Sequence, residues 1–302
     1  MRKLYHICLS SGNEVMFRSH ADYIRGFNCL AVALYRTSSA LLADSFMSNH
    51  FHICVESDDV RGLMFSYRSA YSRYFNNKYF RRGSLGERYP FVMDIVGVYH
   101  RLAALSYTFR NALHHGVAPT PFAYRYSSVN AVFRKELGKW TDEELLPRKA
   151  FYRYLPDKAE VPETYRMNKS GLLLRESVLD IPQVEFIYGS PRNFLFYMNR
   201  LTGEEWEKEQ HKEGGVAFTL RSCESGVQMN DVSTMLKNEY GRGNYNIMTD
   251  IGLCQEIDNH YLKKYGVCSV YQLDLKFKQE IADELWRRYR VGRDRIERTL
   301  IL

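Results

Sequence analysis

The sequence predicts an α+β chain: a small antiparallel or mixed sheet with its helices over residues 1–130, then a mostly helical region over 131–302. Three observations carry this. Through the first 130 residues, short runs rich in β-formers alternate with longer runs of helical periodicity. Beyond Asn130 the strand-like runs stop, and NFLFYMNRLTGEEWEKEQHKE, DVSTMLKNEY and LKFKQEIADELWRRYRVGRDRIERTL read as helices. Hydrophobic residues make up 45% and aromatics 14% of the 302 residues, which supplies a packed core and argues against disorder.

KLYHICLS reads as a first strand, stopped by SSGNE. HADYIRGFNCLAVALY follows as a helix despite Gly26, and SSALLADSFMS as a second strand. Ser48-Asn49 is a turn-like pair before a third strand, HFHICVES. Asp58-Asp59 starts a helix, VRGLMFSYRSAYSRYFNNKYF, which is aromatic and basic. RRGSLGERYP is a loop, FVMDIVGV a fourth strand, and VYHRLAALSYTFRNALHHG a helix with Gly116 as its stop. Pro119 and Pro121 limit any continuation. Residues 135–170 look connective.

Net charge is +7 and the pI about 9.0, which favours an anionic polymer as partner. No apolar run approaches the roughly 20 residues of a membrane span, and the start lacks a signal peptide's apolar stretch. Cysteines 8, 29, 54, 223, 254 and 268 form no CxxC pair and read as reduced thiols of a cytoplasmic protein.

The third strand carries the first chemical signal. Side chains alternate faces along a strand, so His50, His52, Cys54 and Glu56 share one face, and Phe51, Ile53 and Val55 share the core face. Imidazoles at i and i+2 lie about 7 Å apart at Cα and can converge on one metal ion. The plain alternative is two half-buried histidines bonded to backbone or water. On the helix over 99–115, Leu102, Leu105, Phe109 and Leu113 form one stripe, while His100, Tyr107, Asn111 and His114 lie opposite. That second stripe either faces solvent or covers the histidines. In the latter case Asn111 offers an amide oxygen as a third ligand, and Tyr107 its phenol. Spacing alone leaves both readings open.

The combination resembles the single-tyrosine HUH transposases, most closely the REP-associated tyrosine transposase group. That family usually shows Met-Pro-Asn-His-x-His, and here Met47-Ser48-Asn49-His50-Phe51-His52 stands in its place, with Ser48 for the proline. Tyr5-His6-Ile7 with Gly12-Asn13 and Phe17, Tyr74-Phe75-Asn76, the segment from Gly83 to Tyr89, and Tyr126-Ser127-Ser128 resemble further family segments in the same order. Leu105-Ser106-Tyr107-Thr108-Phe109-Arg110-Asn111 resembles the catalytic helix, although Asn111 is followed by Ala112 rather than the usual proline. The likeness covers roughly residues 1–130, and the remainder resembles the extension of a Bacteroidetes-type subgroup.

The resemblance implies a ferredoxin-like or RRM-like sheet. It further implies that His50, His52 and Asn111 bind Mg²⁺ or Mn²⁺, and that Tyr107 attacks hairpin-flanked single-stranded DNA to leave a 5′-phosphotyrosine. Some relatives exchange the tyrosine helix between dimer halves, so a homodimer is a further implied partner. The implied place is the cytoplasm, on the nucleoid, with no membrane partner.

Two regions read as DNA surfaces. Arg61, Arg68, Arg73, Lys78, Arg81, Arg82 and Arg88 face only Glu87 as an opposing charge, and aromatics interleave with them. Half of those aromatics are expected in the core. Residues 273–302 read as two helices around Val291-Gly292, either a helix-turn-helix presenting Arg293, Arg295 and Arg298 to DNA or a plain packing unit. The competing functions are a domesticated DNA-binding protein with little or no cleavage, and an unrelated metal hydrolase that would not need Tyr107.

Overall fold

The computed structural model describes residues 2–139, 143–199 and 248–302. The predicted helix DVSTMLKNEY, the end of NFLFYMNRLTGEEWEKEQHKE and Cys223 lie outside the described residues. The fold is α+β, with one four-stranded antiparallel sheet in the order β2-β3-β1-β4. Its strands are β1 (Lys3–Ser10), β2 (Ala40–Phe46), β3 (His50–Ser57) and β4 (Phe91–Asp94). Helices α1 (His20–Arg36), α2 (Val60–Tyr79) and α3 (Val98–His114) complete the first part. The sheet is wholly antiparallel, and the β2–β3 hairpin sits at one edge with β4 at the other.

Local chemistry explains the boundaries. The Asp59 carboxylate accepts from the Gly62 N–H and starts α2. Gly97 precedes α3 at φ 92, a conformation that costs a side-chain-bearing residue energy. Gly26 is tolerated inside α1 because the Phe17 ring packs there. A Cβ at that position would sit 2.6 Å from a ring carbon. Leu41 pairs with Val55 and Ala43 with Cys54, so a bulge at Leu42 shifts the faces of β2.

The sheet is covered on both sides. Phe51, Ile53 and Val55 pack with Ile7 and Leu9 against α1 and α2, where Tyr67 meets Phe51 edge-on at 4.9 Å. Asp22 ties the two helices together: it is buried and accepts from Tyr74 (2.9 Å), Tyr79 (2.7 Å) and Lys78 (2.6 Å). On the other face lies α3, with Thr108 3.3 Å from Cys54.

Residues 143–199 build into both cores. Phe151, Leu155, Met167 and Leu173 join the α1–α2 side. Helices α4 (Arg175–Val178), α5 (Ile181–Tyr188) and α6 (Pro191–Asn199) follow. Tyr188 and Phe194 cover the outer stripe of α3 at Phe109 (6.4 and 5.9 Å between rings). Residues 248–302 have a cluster of their own around Leu253, Ile281, Leu285 and Ile296. Its helices are α7 (Asp250–Glu256), α8 (Leu262–Tyr265), α9 (Leu275–Tyr289) and α10 (Arg293–Leu300). Over the described residues, α-helix dominates from Arg175 on, whereas residues 143–174 are irregular, with short 3-10 helices at Arg148–Arg153 and Pro156–Lys158. Among the described residues no helix is long and apolar enough to cross a membrane. Among the described residues Cys8, Cys29, Cys54 and Cys254 are buried and form no disulfide, and Cys268 is exposed.

Candidate metal and tyrosine site

Antiparallel pairing sets the site. Cys8 lies opposite His52, Ser10 opposite His50, and His6 opposite Cys54. His6, Cys8, His50 and His52 thus share the face that α3 covers. Of the two readings of α3, the structure takes the one in which its Tyr107 stripe lies on the histidines. The Tyr107 ring stands edge-on to His52 at 5.2 Å and to His6 at 5.9 Å, and it stacks on His114 at 5.4 Å. His50 and His52 are 5.1 Å apart ring to ring. His100 sits at the other end of α3, where its Nδ1 accepts from the Val96 N–H at 3.2 Å.

The histidines are fully buried rather than half-buried, and Tyr107 is only 5% exposed. Burial holds His50 and His52 well below the ordinary imidazole range. His115, once protonated, and the Arg298 guanidinium add to this for His50, and His6 leads the neighbouring groups for His52. His6 is pushed down to about 3 by burial and then His100, His114 to about 3 by burial and then Arg110, and His115 to about 4 by burial and then Arg298. All five rings are neutral at pH 7, the state in which imidazole ligates a metal.

The Nδ1 atoms of His50 and His52 both have a partner. His50 Nδ1 lies 2.9 Å from Asn49 Oδ1, which makes Nδ1 the protonated nitrogen and leaves the lone pair on Nε2. His52 Nδ1 lies 3.1 Å from His6 Nε2. Donation from His52 to His6 leaves the His52 lone pair on Nε2, which has Cys8 Sγ at 3.8 Å. His50 Nε2 and both amide atoms of Asn111 are buried with no partner at hydrogen-bonding geometry. The Asn111 amide lies against the His50 ring and favours its protonated form, opposing the effect of burial; a divalent ion between the two would satisfy both. Among the described residues no group of three or more His, Cys, Asp or Glu can hold a metal. The donor set here is two imidazoles and an amide, which suits a divalent ion that keeps waters or phosphate oxygens as its other ligands.

Two contributors were not picked out as site residues by the periodicity of the sequence. His115 is buried with its ring 5.0 Å from His50. It follows Asn111 by four residues, so the same helical stripe could have flagged it. His6 could be placed only by strand register.

The basic segment is distributed differently from the site. Helix α2 packs on the opposite face of the sheet. Arg73 pairs with Asp157 (2.6 Å), Lys78 with Asp22, and Arg81 with Glu14 (2.6 Å). Arg68 donates to the Arg88 carbonyl at 2.9 Å. Arg61, Arg82 and Arg88 are exposed. The loop carrying Arg82 and Arg88 passes the His50 end of the sheet, where Glu87 N–H donates to the Ser10 carbonyl at 2.7 Å. Of the interleaved aromatics, Tyr67, Tyr71, Phe75 and Tyr79 are core, whereas Phe65, Phe80 and Tyr89 are exposed.

At the C-terminus, Arg293 is exposed beside Trp286 and Asp283. Arg295 and Arg298 are buried. Arg295 binds Asp250 at 2.6 Å, and the Asp250 carboxylate accepts from the Ser48 hydroxyl, two residues before His50. Arg18, also buried, donates to the Thr299 carbonyl at 2.8 Å and reaches Asp258 at 3.3 Å. Ser48, where the resemblance expects proline, thus fastens α7 and α10 to the histidine turn.

No family model and no curated protein matches the chain. Among solved structures, that of a REP-associated tyrosine transposase bound to a REP hairpin aligns at a TM-score of 0.38 and 10% identity, over 47% of this chain and 86% of that one. A score that low carries no weight for fold or function, which rest on the site itself.

Proposed function

We propose that the chain is a DNA-processing protein of the HUH type, a metal-dependent enzyme that nicks and rejoins single-stranded DNA through Tyr107. The observation that carries this is the meeting of Tyr107 with two neutral histidines and an unpartnered amide on one buried surface. An unrelated hydrolase would have no use for a phenol held against His52.

His50 and His52, through Nε2, and Asn111, through its amide oxygen, would hold Mg²⁺ or Mn²⁺. The ion would supply positive charge to the scissile phosphate and its leaving oxygen. Asn49 and His6 fix the ring orientation of the two histidines. Tyr107 Oη forms a bond to phosphorus and the P–O3′ bond breaks. The phenol loses a proton and the 3′ oxygen gains one, leaving a 5′-phosphotyrosine and a free 3′-OH. Reversal of the same step rejoins strands without another energy source. Within one chain, Tyr107 lies against His52 and His6.

The burial of Tyr107, His50 and His52 favours a second reading, a DNA-binding protein on this scaffold that cleaves little or not at all. A denaturing gel with labelled hairpin-bearing single strands, wild type against Tyr107→Phe, with and without Mn²⁺, separates the cases. A covalent adduct that needs both Mn²⁺ and Tyr107 is the expected result. Binding without adduct selects the second reading. Cleavage that survives Tyr107→Phe removes the tyrosine mechanism and leaves a metal hydrolase.

A further inference from the structure

A cavity of about 410 Å³ opens between the β2–β3 turn, the loop after α3 and helix α7. We propose that it receives one unstacked nucleobase of the single-stranded DNA, from the nucleotide beside the phosphate held at Tyr107. This rests on the single-strand reading above and adds to it where, and by which residues, a base is read.

Position is the first argument. One wall is Met47-Ser48, which leads directly into His50. Another begins at Gly116, the residue after His115, whose ring lies 5.0 Å from His50. The cavity therefore lies at the His50 end of the site, the place for the nucleotide next to the one whose phosphate is held there.

Chemistry is the second. Tyr23, Tyr124 and Tyr126 line the interior; Tyr23 is closed between Phe17 (4.8 Å) and Tyr126 (3.7 Å), so Tyr124 and the second face of Tyr126 are what a base would meet. Aromatic faces are what an unpaired base finds in single-strand sites. His20, Arg125 and Gln255 are exposed at the lining. The guanidinium suits a backbone phosphate. The Gln255 amide has both donor and acceptor and can address a base edge. The volume is at the low end of the range for small-molecule sites, room for a base with its sugar.

Rigidity is the third. The Tyr124 hydroxyl donates to the Phe46 carbonyl at 2.6 Å, and the Phe46 N–H donates to the Tyr126 carbonyl at 2.9 Å. On the far side, Arg295 holds Asp250, and Asp250 holds Ser48. The cavity is therefore preformed and needs both the sheet and the C-terminal unit. That gives the buried Arg295–Asp250–Ser48 chain a purpose beyond packing.

The test uses the full chain carrying Tyr107→Phe, so that binding is read without cleavage. A hairpin-bearing single strand is scanned with one abasic site at a time, and affinity is followed by fluorescence anisotropy. One position close to the cleavage site should lose about 5- to 150-fold in affinity when its base is removed, the range expected for one base–aromatic contact. Adding Ala123→Trp at the exposed rim fills the cavity. The intact strand should then bind as weakly as the abasic one, and that position should become insensitive. Gln255→Ala, on the exposed side of α7, should flatten any preference among the four bases there while leaving the fold unchanged. A scan with no sensitive position, or the same profile in the filled variant and the same base preference in Gln255→Ala, overturns the proposal. An adduct in the wild type without a base-sensitive position removes the base site but not the tyrosine chemistry. A base-sensitive position without any adduct does the reverse. Absence of single-strand binding in any form removes both.

Discussion

On one side of β3, Phe51, Ile53 and Val55 sit among the rings and aliphatic chains of α1 and α2. On the other, His50 and His52 sit against His6, His115, Tyr107 and Asn111. Both sets are equally withdrawn from water. The first face gains stability from every side chain it buries. The second withdraws imidazoles and an amide from solvent without pairing all of their atoms, which costs energy in the metal-free chain. A protein keeps such a face when something other than folding requires it, so the contrast marks the site more sharply than any single distance does.

The largest test of that contrast is acid. Four buried histidines (His6, His50, His52 and His115) and the partly exposed His114 all have folded-state pKa values below the unfolded value near 6.5. The unfolded chain therefore takes up more protons as pH falls through 6.5. The stability present above that pH is lost progressively toward about 3, where His6 and His114 themselves take up protons. Each histidine accounts for about 1.4 kcal/mol between pH 7.5 and 5.5, about 7 kcal/mol together. Thermal melts across that range should show a steep fall in Tm. A flat profile would mean that the rings are not buried as placed.

Paired substitutions on the two faces should differ in sign. Phe51→Ala should lower stability by about 3–5 kcal/mol in urea unfolding. Asn111→Leu removes two unpartnered amide atoms at similar volume, so it should leave stability unchanged or raise it by about 1–3 kcal/mol while abolishing Mn²⁺ binding. Equal destabilisation by both would erase the distinction between the faces. More finely, His6→Leu should weaken Mn²⁺ binding by about 10- to 100-fold in calorimetric titration, because His52 loses the partner that orients it. The smallest expected effect lies at the surface. Arg82→Ala should leave the melt within about 0.5 kcal/mol of wild type and reduce the salt slope of DNA binding by about one charge.

Much of this was legible in the chain itself. HFHICVES is β3 to the residue, and the helix expected from Val98 is α3. Alternation separated His50 and His52 from Phe51 correctly, and helical periodicity put Tyr107 and Asn111 on one stripe. It could not show that both faces of the sheet are covered. The strand pattern suggested one core face, but the outer stripe of α3 is closed by Tyr188 and Phe194, some 80 residues further on. The basic run on α2 read as one surface. Packing sent it to the far side of the sheet and tied Arg73, Lys78 and Arg81 to carboxylates that sequence distance hides. Ser48 looked like a neutral turn residue until Asp250 was found against it.

The sequence by itself determined the local matters: where strands and helices begin, which side chains share a face, and which residue types could ligate or attack. Those follow from backbone periods of 2 and 3.6 residues, which act between near neighbours. Tertiary structure alone decided that His6 supports His52, that His115 joins the site, and that Arg295 holds Asp250 against the histidine turn. These contacts span from tens to hundreds of residues. They arise from strand register and from the burial of apolar surface shared by distant segments, and no local period encodes either.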